Sequence, residues 1–143
     1  MVDLLGRDSL GKKILVDSNT LGGANVVLPN VPCLSSVYVG SAVIMQASGI
    51  AKNGLADSLA NSNIIGIVES KSSSTVCDIR VLGVSSPLFI GLDVTKEYYL
   101  SESVDGDLSV SPPVASGSVI LKIGQPFSET EMLVNKGQRT VRV

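Results

Sequence analysis

Histidine and tryptophan are absent from this chain of 143 residues. Without imidazole there is no common general base, no Ser-His-Asp or Cys-His constellation and no ordinary zinc site. Cysteine is limited to Cys33 and Cys77, which lack Cys-x-x-Cys spacing, so a Cys-rich metal site and a disulfide-dense secreted scaffold are both excluded. Aromatic residues make up 3 % of the chain, too few for a sugar cleft or a base-stacking platform. There is no basic surplus either. A net charge of −2 and a pI of about 5.0 argue against a nucleic-acid partner. No run approaches the roughly 20 apolar residues of a membrane helix, so no membrane partner is expected. The first ten residues carry Asp3 and Asp8 and no basic stretch ahead of an apolar run. A chain without a signal peptide is therefore expected, made in a cytoplasm with Cys33 and Cys77 reduced and buried.

Valine and isoleucine are plentiful. Together they number 30, against 7 alanines, and the mean hydropathy is +0.37. β-Branched side chains suit a pleated, half-buried surface, and an alanine-poor chain makes a poor helical bundle. The apolar runs are short and punctuated by turn residues. Residues 13–16, 24–28, 37–46 (one long strand or two short ones about Gly40), 64–69, 76–84, 97–101, 108–111, 118–124, 132–134 and 140–143 read as strands, and 87–90 is a further short apolar run ending at Gly91. The serine-rich run 70–74 reads as a hairpin connection, Asp105-Gly106 as a type I′ hairpin turn, and 135–137 as a further hairpin-like turn. Residues 54–61 form the best helical candidate but span barely two turns, so a turn-rich loop with at most one helical turn is expected. The fold class is all-β, a β-sandwich or small β-barrel of about nine or ten short antiparallel strands.

Residues 1–36 differ from the domain at 37–143. Gly6, Gly11, Gly22, Gly23, Pro29 and Pro32 interrupt every element there. They form either an extended N-terminal arm or leading strands of the main sheet. As an arm, Ile14, Val16, Val26 and Leu28 are the side chains suited to adding a strand to a neighbour's sheet edge, with Lys12 and Lys13 suited to acidic groups.

Catalytic and metal chemistry is poorly supported. The loop 102–107, with Glu102, Asp105 and Asp107, is the one candidate for calcium, but it lacks the EF-hand pattern. Gly22-Gly23 lacks the Lys-Ser/Thr continuation of a phosphate-binding loop. The serines have no base to activate them. No catalytic residue, metal or cofactor is assigned. Lys136, Arg139 and Arg142 gather at the C-terminus, where on a terminal strand they suit an acidic partner surface or simply blunt an edge. Tyr98 and Tyr99 point to opposite faces of a strand, one for the core and one to anchor an interface.

From Val37 onward the chain resembles head decoration (cement) proteins of tailed bacteriophages and the capsid- or tail-anchoring modules of phage fibres. The resemblance runs through Val39-Gly40-Ser41-Ala42-Val43, Ile65-Gly66-Ile67-Val68, Val81-Leu82-Gly83-Val84 and Gly91-Leu92. It continues through Tyr98-Tyr99-Leu100-Ser101, Gly106-Asp107-Leu108, Pro112-Pro113, residues 119–124 and residues 130–134. It implies a non-enzymatic virion protein on the capsid surface, bound to the major capsid protein or other virion proteins, and a homo-oligomer, most simply a trimer. A fibre or tail-accessory subunit is the alternative within the virion. A small calcium- or carbohydrate-binding β-module is the alternative of another class.

Overall fold

The structure, a computed structural model, describes residues 25–143. Among them are eleven strands and no helix. In chain order these are β1 (Val26–Pro32), β2 (Ala42–Met45), β3 (Ala51–Asn53), β4 (Gly66–Ser73), β5 (Val76–Val84), β6 (Tyr98–Leu100), β7 (Leu108–Ser109), β8 (Val119–Ile120), β9 (Lys122–Pro126), β10 (Met132–Val134) and β11 (Thr140–Val141). Nine strands form one antiparallel sheet in the order β3-β2-β4-β5-β10-β9-β6-β7, with β1 paired to β5; β8 and β11 form a second, two-stranded sheet. The large sheet curls into a half-barrel.

Strand alternation sorts the apolar residues into two cores. Ala42 and Ile44 of β2, Ile67 of β4, Leu100 of β6, Ile123 of β9 and Met132 and Val134 of β10 belong to the main core. Val43, the residue between Ala42 and Ile44, points the other way. With Val68, Cys77, Ile79, Ala51, Cys33 and Val37 it forms a second, smaller core. Leu28 and Val31 of β1 pack on that second core. Two glycines permit the closest approaches of neighbouring strands. A Cβ at Gly66 would strike the Arg80 carbonyl oxygen, and one at Gly124 the Leu133 carbonyl oxygen.

Several local expectations are corrected. The serine run is not the hairpin connection, because β4 continues through Ser73 and the turn is Ser74-Thr75. Neither turn residue has positive φ, so this is not a primed turn, and a register shift between Lys71 and Ser73 absorbs the mismatch. Strands β6 and β7 do form a hairpin, with Leu100 opposite Leu108, but the connection closes between Ser101 N–H and the Asp107 carbonyl. Gly106 has φ +75° while Asp105 does not enter the left-handed region, so a type I′ turn is not made. Residues 135–137 do not join a hairpin, since β11 pairs with β8 rather than β10. Residues 13–16 lie outside the described residues.

Residues 26–32 belong to the chain's own sheet. Val26 stands opposite Leu82, Leu28 opposite Ile79 and Val31 opposite Cys77. Pro29 has no N–H for the ladder, so the strand bulges at Pro29-Asn30. Asn30 takes φ 55° and gives its N–H to the Asp78 carboxylate at 2.9 Å.

Just beyond β1, Cys33 is anchored by its N–H to the Thr75 carbonyl, and its thiol meets that of Cys77 on β5. Burial first, and then the hydrogen bond with Cys33, pushes the Cys77 thiol up to about 12. A thiolate is the reactive species, so Cys77 is inert in the native chain. At pH 8 the folded protein is expected to react with DTNB at least about a hundredfold more slowly than the chain unfolded in guanidinium, which titrates both thiols. Rapid labelling of native protein would show that the second core is open.

Candidate interaction site

The residues expected at an interface are dispersed. Val26 is 40 % exposed on β1, while Leu28 is half-buried against the second core. Tyr98 and Tyr99 lie on β6, separated from β1 along the sheet by β9, β10 and β5. Tyr98 packs on the main core and its hydroxyl accepts the Asp93 N–H at 2.9 Å; the Tyr99 hydroxyl donates to Glu97 at 3.3 Å. Arg139 gives Nη1 to the Leu59 carbonyl at 2.6 Å, and Arg142 gives Nε to the Val114 carbonyl at 3.3 Å. These two guanidiniums tie the C-terminal segment to the body of the domain. Ile14, Val16, Lys12 and Lys13 lie outside the described residues.

The acidic loop is also committed internally. Glu102 accepts hydrogen bonds from Val114 N–H, Ala115 N–H and the Ser118 hydroxyl. The Val114 N–H, then Ser118, hold its carboxyl below the ordinary range, with Arg142 adding to the effect. Among the described residues no group of three or more His, Cys, Asp or Glu is placed to hold a metal ion. A carboxyl whose pKa is lowered by folding stabilises the fold above its unfolded value, near 4.5, and loses that contribution as pH falls through the folded value. Glu102→Gln is therefore expected to lower the midpoint of urea unfolding at pH 7, with the gap from the parent chain closing by pH 3. A gap that persists at pH 3 would show that the charge is not what braces the 111–118 loop.

The site that sequence inspection passed over is a cavity of about 220 Å³ lined by Tyr38, Val39, Gly40, Phe89, Leu92, Tyr98, Asp107 and Leu108. The chain has three tyrosines and two phenylalanines, and three of those five rings converge here. Gly40 turns the chain beside the Phe89 ring at φ +94°, a backbone conformation that residues with a side chain rarely adopt. The tyrosines are held by their polar ends. The Tyr38 hydroxyl donates to the Asp105 carbonyl at 3.3 Å, and Tyr98 is held through Asp93. Burial raises the Tyr38 pKa, and the negative charges of Asp107 and Asp105 raise it further. An aromatic wall with two carboxylates beside it disfavours anions and favours cations.

A second exposed feature lies on the turn between β9 and β10. The Phe89 and Leu92 N–H groups bond to the Thr130 and Glu129 carbonyls, which fixes segment 89–92 against that turn. Ile90 is 97 % exposed on one segment and Phe127 66 % exposed on the other. Comparison with known protein families, with curated proteins and with solved structures finds no match.

Proposed function

We propose that this chain is a non-enzymatic virion structural protein, a decoration protein that binds the outer face of a tailed-bacteriophage head and stabilises the shell. The observation that carries the reading is the apolar rim at Ile90 and Phe127, on two segments locked together by backbone hydrogen bonds. Large apolar side chains exposed to water on hydrogen-bonded backbone segments suit a protein interface. The likeness of residues 37–143 to phage decoration proteins and fibre-anchoring modules supplies the class of partner. A ligand that binds only the assembled shell raises its stability by mass action, and many identical sites on one shell add avidity. The protein would be made in the host cytoplasm, act as a trimer and contact the major capsid protein.

The test is addition of the purified chain to heads assembled without it, followed by negative-stain imaging and thermal disruption. Regular protrusions over the shell and a raised disruption temperature are expected. Density confined to the tail vertex would move the reading to a fibre or tail-accessory subunit. Failure to bind any particle would overturn both.

A further inference from the structure

We propose that the cavity between Tyr38, Phe89 and Tyr98 is a recognition site for an arginine side chain of a partner protein, with Asp107 as its counter-charge. The inference rests on the docking reading above only for the source of the arginine; the chemistry is read from the walls themselves.

Size narrows the ligand first. At about 220 Å³ the cavity falls below the roughly 300–1,000 Å³ of pockets that take cofactors and drug-sized ligands. It is the right scale for one inserted side chain. Charge narrows it further. Asp107 is exposed at the lining, Asp105 is close enough to act on Tyr38, and among the described residues no lysine or arginine lines the cavity. An inserted acid would meet carboxylates of its own sign.

A purely apolar side chain would gain the walls formed by Leu92, Leu108 and the rings but leave the carboxylate unused. A guanidinium uses both. Its flat face stacks on aromatic rings, its edge matches a carboxylate with paired N–H donors, and it is more weakly hydrated than an ammonium, which favours arginine over lysine.

The site is also pre-organised. The loop carrying Asp107 is pinned to the domain by Gly106 N–H to the Gly54 carbonyl at 2.7 Å and by Ala42 N–H to the Gly106 carbonyl at 2.8 Å. Asp107 itself gives its N–H to the Val104 carbonyl and accepts the Ser101 N–H. Little ordering is left for the binding step, which improves affinity for a small group.

The experiment titrates the isotopically labelled full chain with N-acetyl-argininamide, N-acetyl-lysinamide and N-acetyl-leucinamide, each to about 50 mM, enough to saturate a millimolar site. Saturable shifts in the Tyr38, Phe89 and Tyr98 ring signals are expected with the arginine compound. Binding should weaken about tenfold in Asp107→Asn, an isosteric change whose unperturbed spectrum would report an intact fold. Tyr38→Leu keeps an apolar wall without the ring and should weaken binding in the same direction. The proposal is overturned by any of three results: no saturable shift, equal binding of the leucine or lysine compound, or unchanged affinity in Asp107→Asn. Arginine binding by a chain that attaches to no particle upholds this site while removing the capsid reading.

Discussion

A chain beginning at Val37 is expected to be unfolded, whereas one beginning at Asn25 is expected to fold. The difference between them is β1 and the segment through Ser36. Strand β1 lies along β5 from Val26 opposite Leu82 to Pro32 opposite Val76. Its Leu28 and Val31, with Cys33 at 3 % exposure, cover Val43, Val68, Cys77 and Ile79. Full burial of a large apolar side chain stabilises by about 1.5–3 kcal/mol, so losing the buried Cys33 and the half-buried Leu28 and Val31 removes roughly 3 kcal/mol before the severed ladder is counted. The whole stability of a small domain is only about 5–15 kcal/mol. Far-UV circular dichroism and urea unfolding decide the matter. A Val37 chain that unfolds cooperatively at the parent midpoint would show that β1 lies outside the cooperative unit. It would also restore residues 25–36 to the role of an arm. If that chain then failed to bind particles, attachment would reside in residues 1–36.

What the sequence made legible follows from the range of the forces involved. Alternation along one strand is local, so runs such as 76–84, 97–101 (the strand itself is Tyr98–Leu100) and 132–134 are visible as strands without knowing their neighbours. Pairing is not local. Thr140 and Val141 sit just after a turn-like Asn135-Lys136-Gly137, yet their partners are Ile120 and Val119. The serine run 70–73 looks like a loop because its side chains are polar. It is half of a ladder because β5 offers its backbone, and Ser70, Ser72 and Ser73 remain exposed. The candidate site was hidden for the same reason. Its walls come from residues 38–40, 89, 92, 98 and 107–108; Phe89 lies outside the strands, and Tyr38, inside the run 37–46 that reads as a strand, precedes the actual strand, which begins at Ala42. The one available signal was scarcity, with only five aromatic rings in the chain, because strand patterns alone do not bring residues 38, 89 and 98 together.

Replacing Glu69 by alanine is expected to destabilise the fold by about 3 kcal/mol and lower its melting temperature by roughly 10 °C. Glu69 lies on β4 and Arg80 on β5. Arg80 stands opposite Ile67 and so faces the main core. Its guanidinium meets the carboxylate in a two-pronged contact, Nε to Oε1 and Nη2 to Oε2, both at 2.9 Å. The side chains are only 11 % and 16 % exposed, so the pair sits nearer the buried than the surface limit. Nη1 also reaches the Asn25 side-chain oxygen at 3.0 Å, which links the start of the described chain to the same cluster. With the carboxylate removed, a desolvated guanidinium loses its counter-charge, and that loss dominates the effect. The double variant Glu69→Leu with Arg80→Met removes both charges and is expected to recover most of the loss, because the gain from a buried ion pair is largely offset by its desolvation. Acid provides an independent check. The Arg80 hydrogen bond, with help from Ser86, holds the Glu69 carboxyl below its ordinary 4.5. Its contribution is therefore full above that value and fades as pH falls through the folded pKa. Parent and Glu69→Ala melting temperatures should converge on acidification. If they remain 10 °C apart at pH 2.5, the effect of the substitution comes from packing around β4 and not from the ion pair.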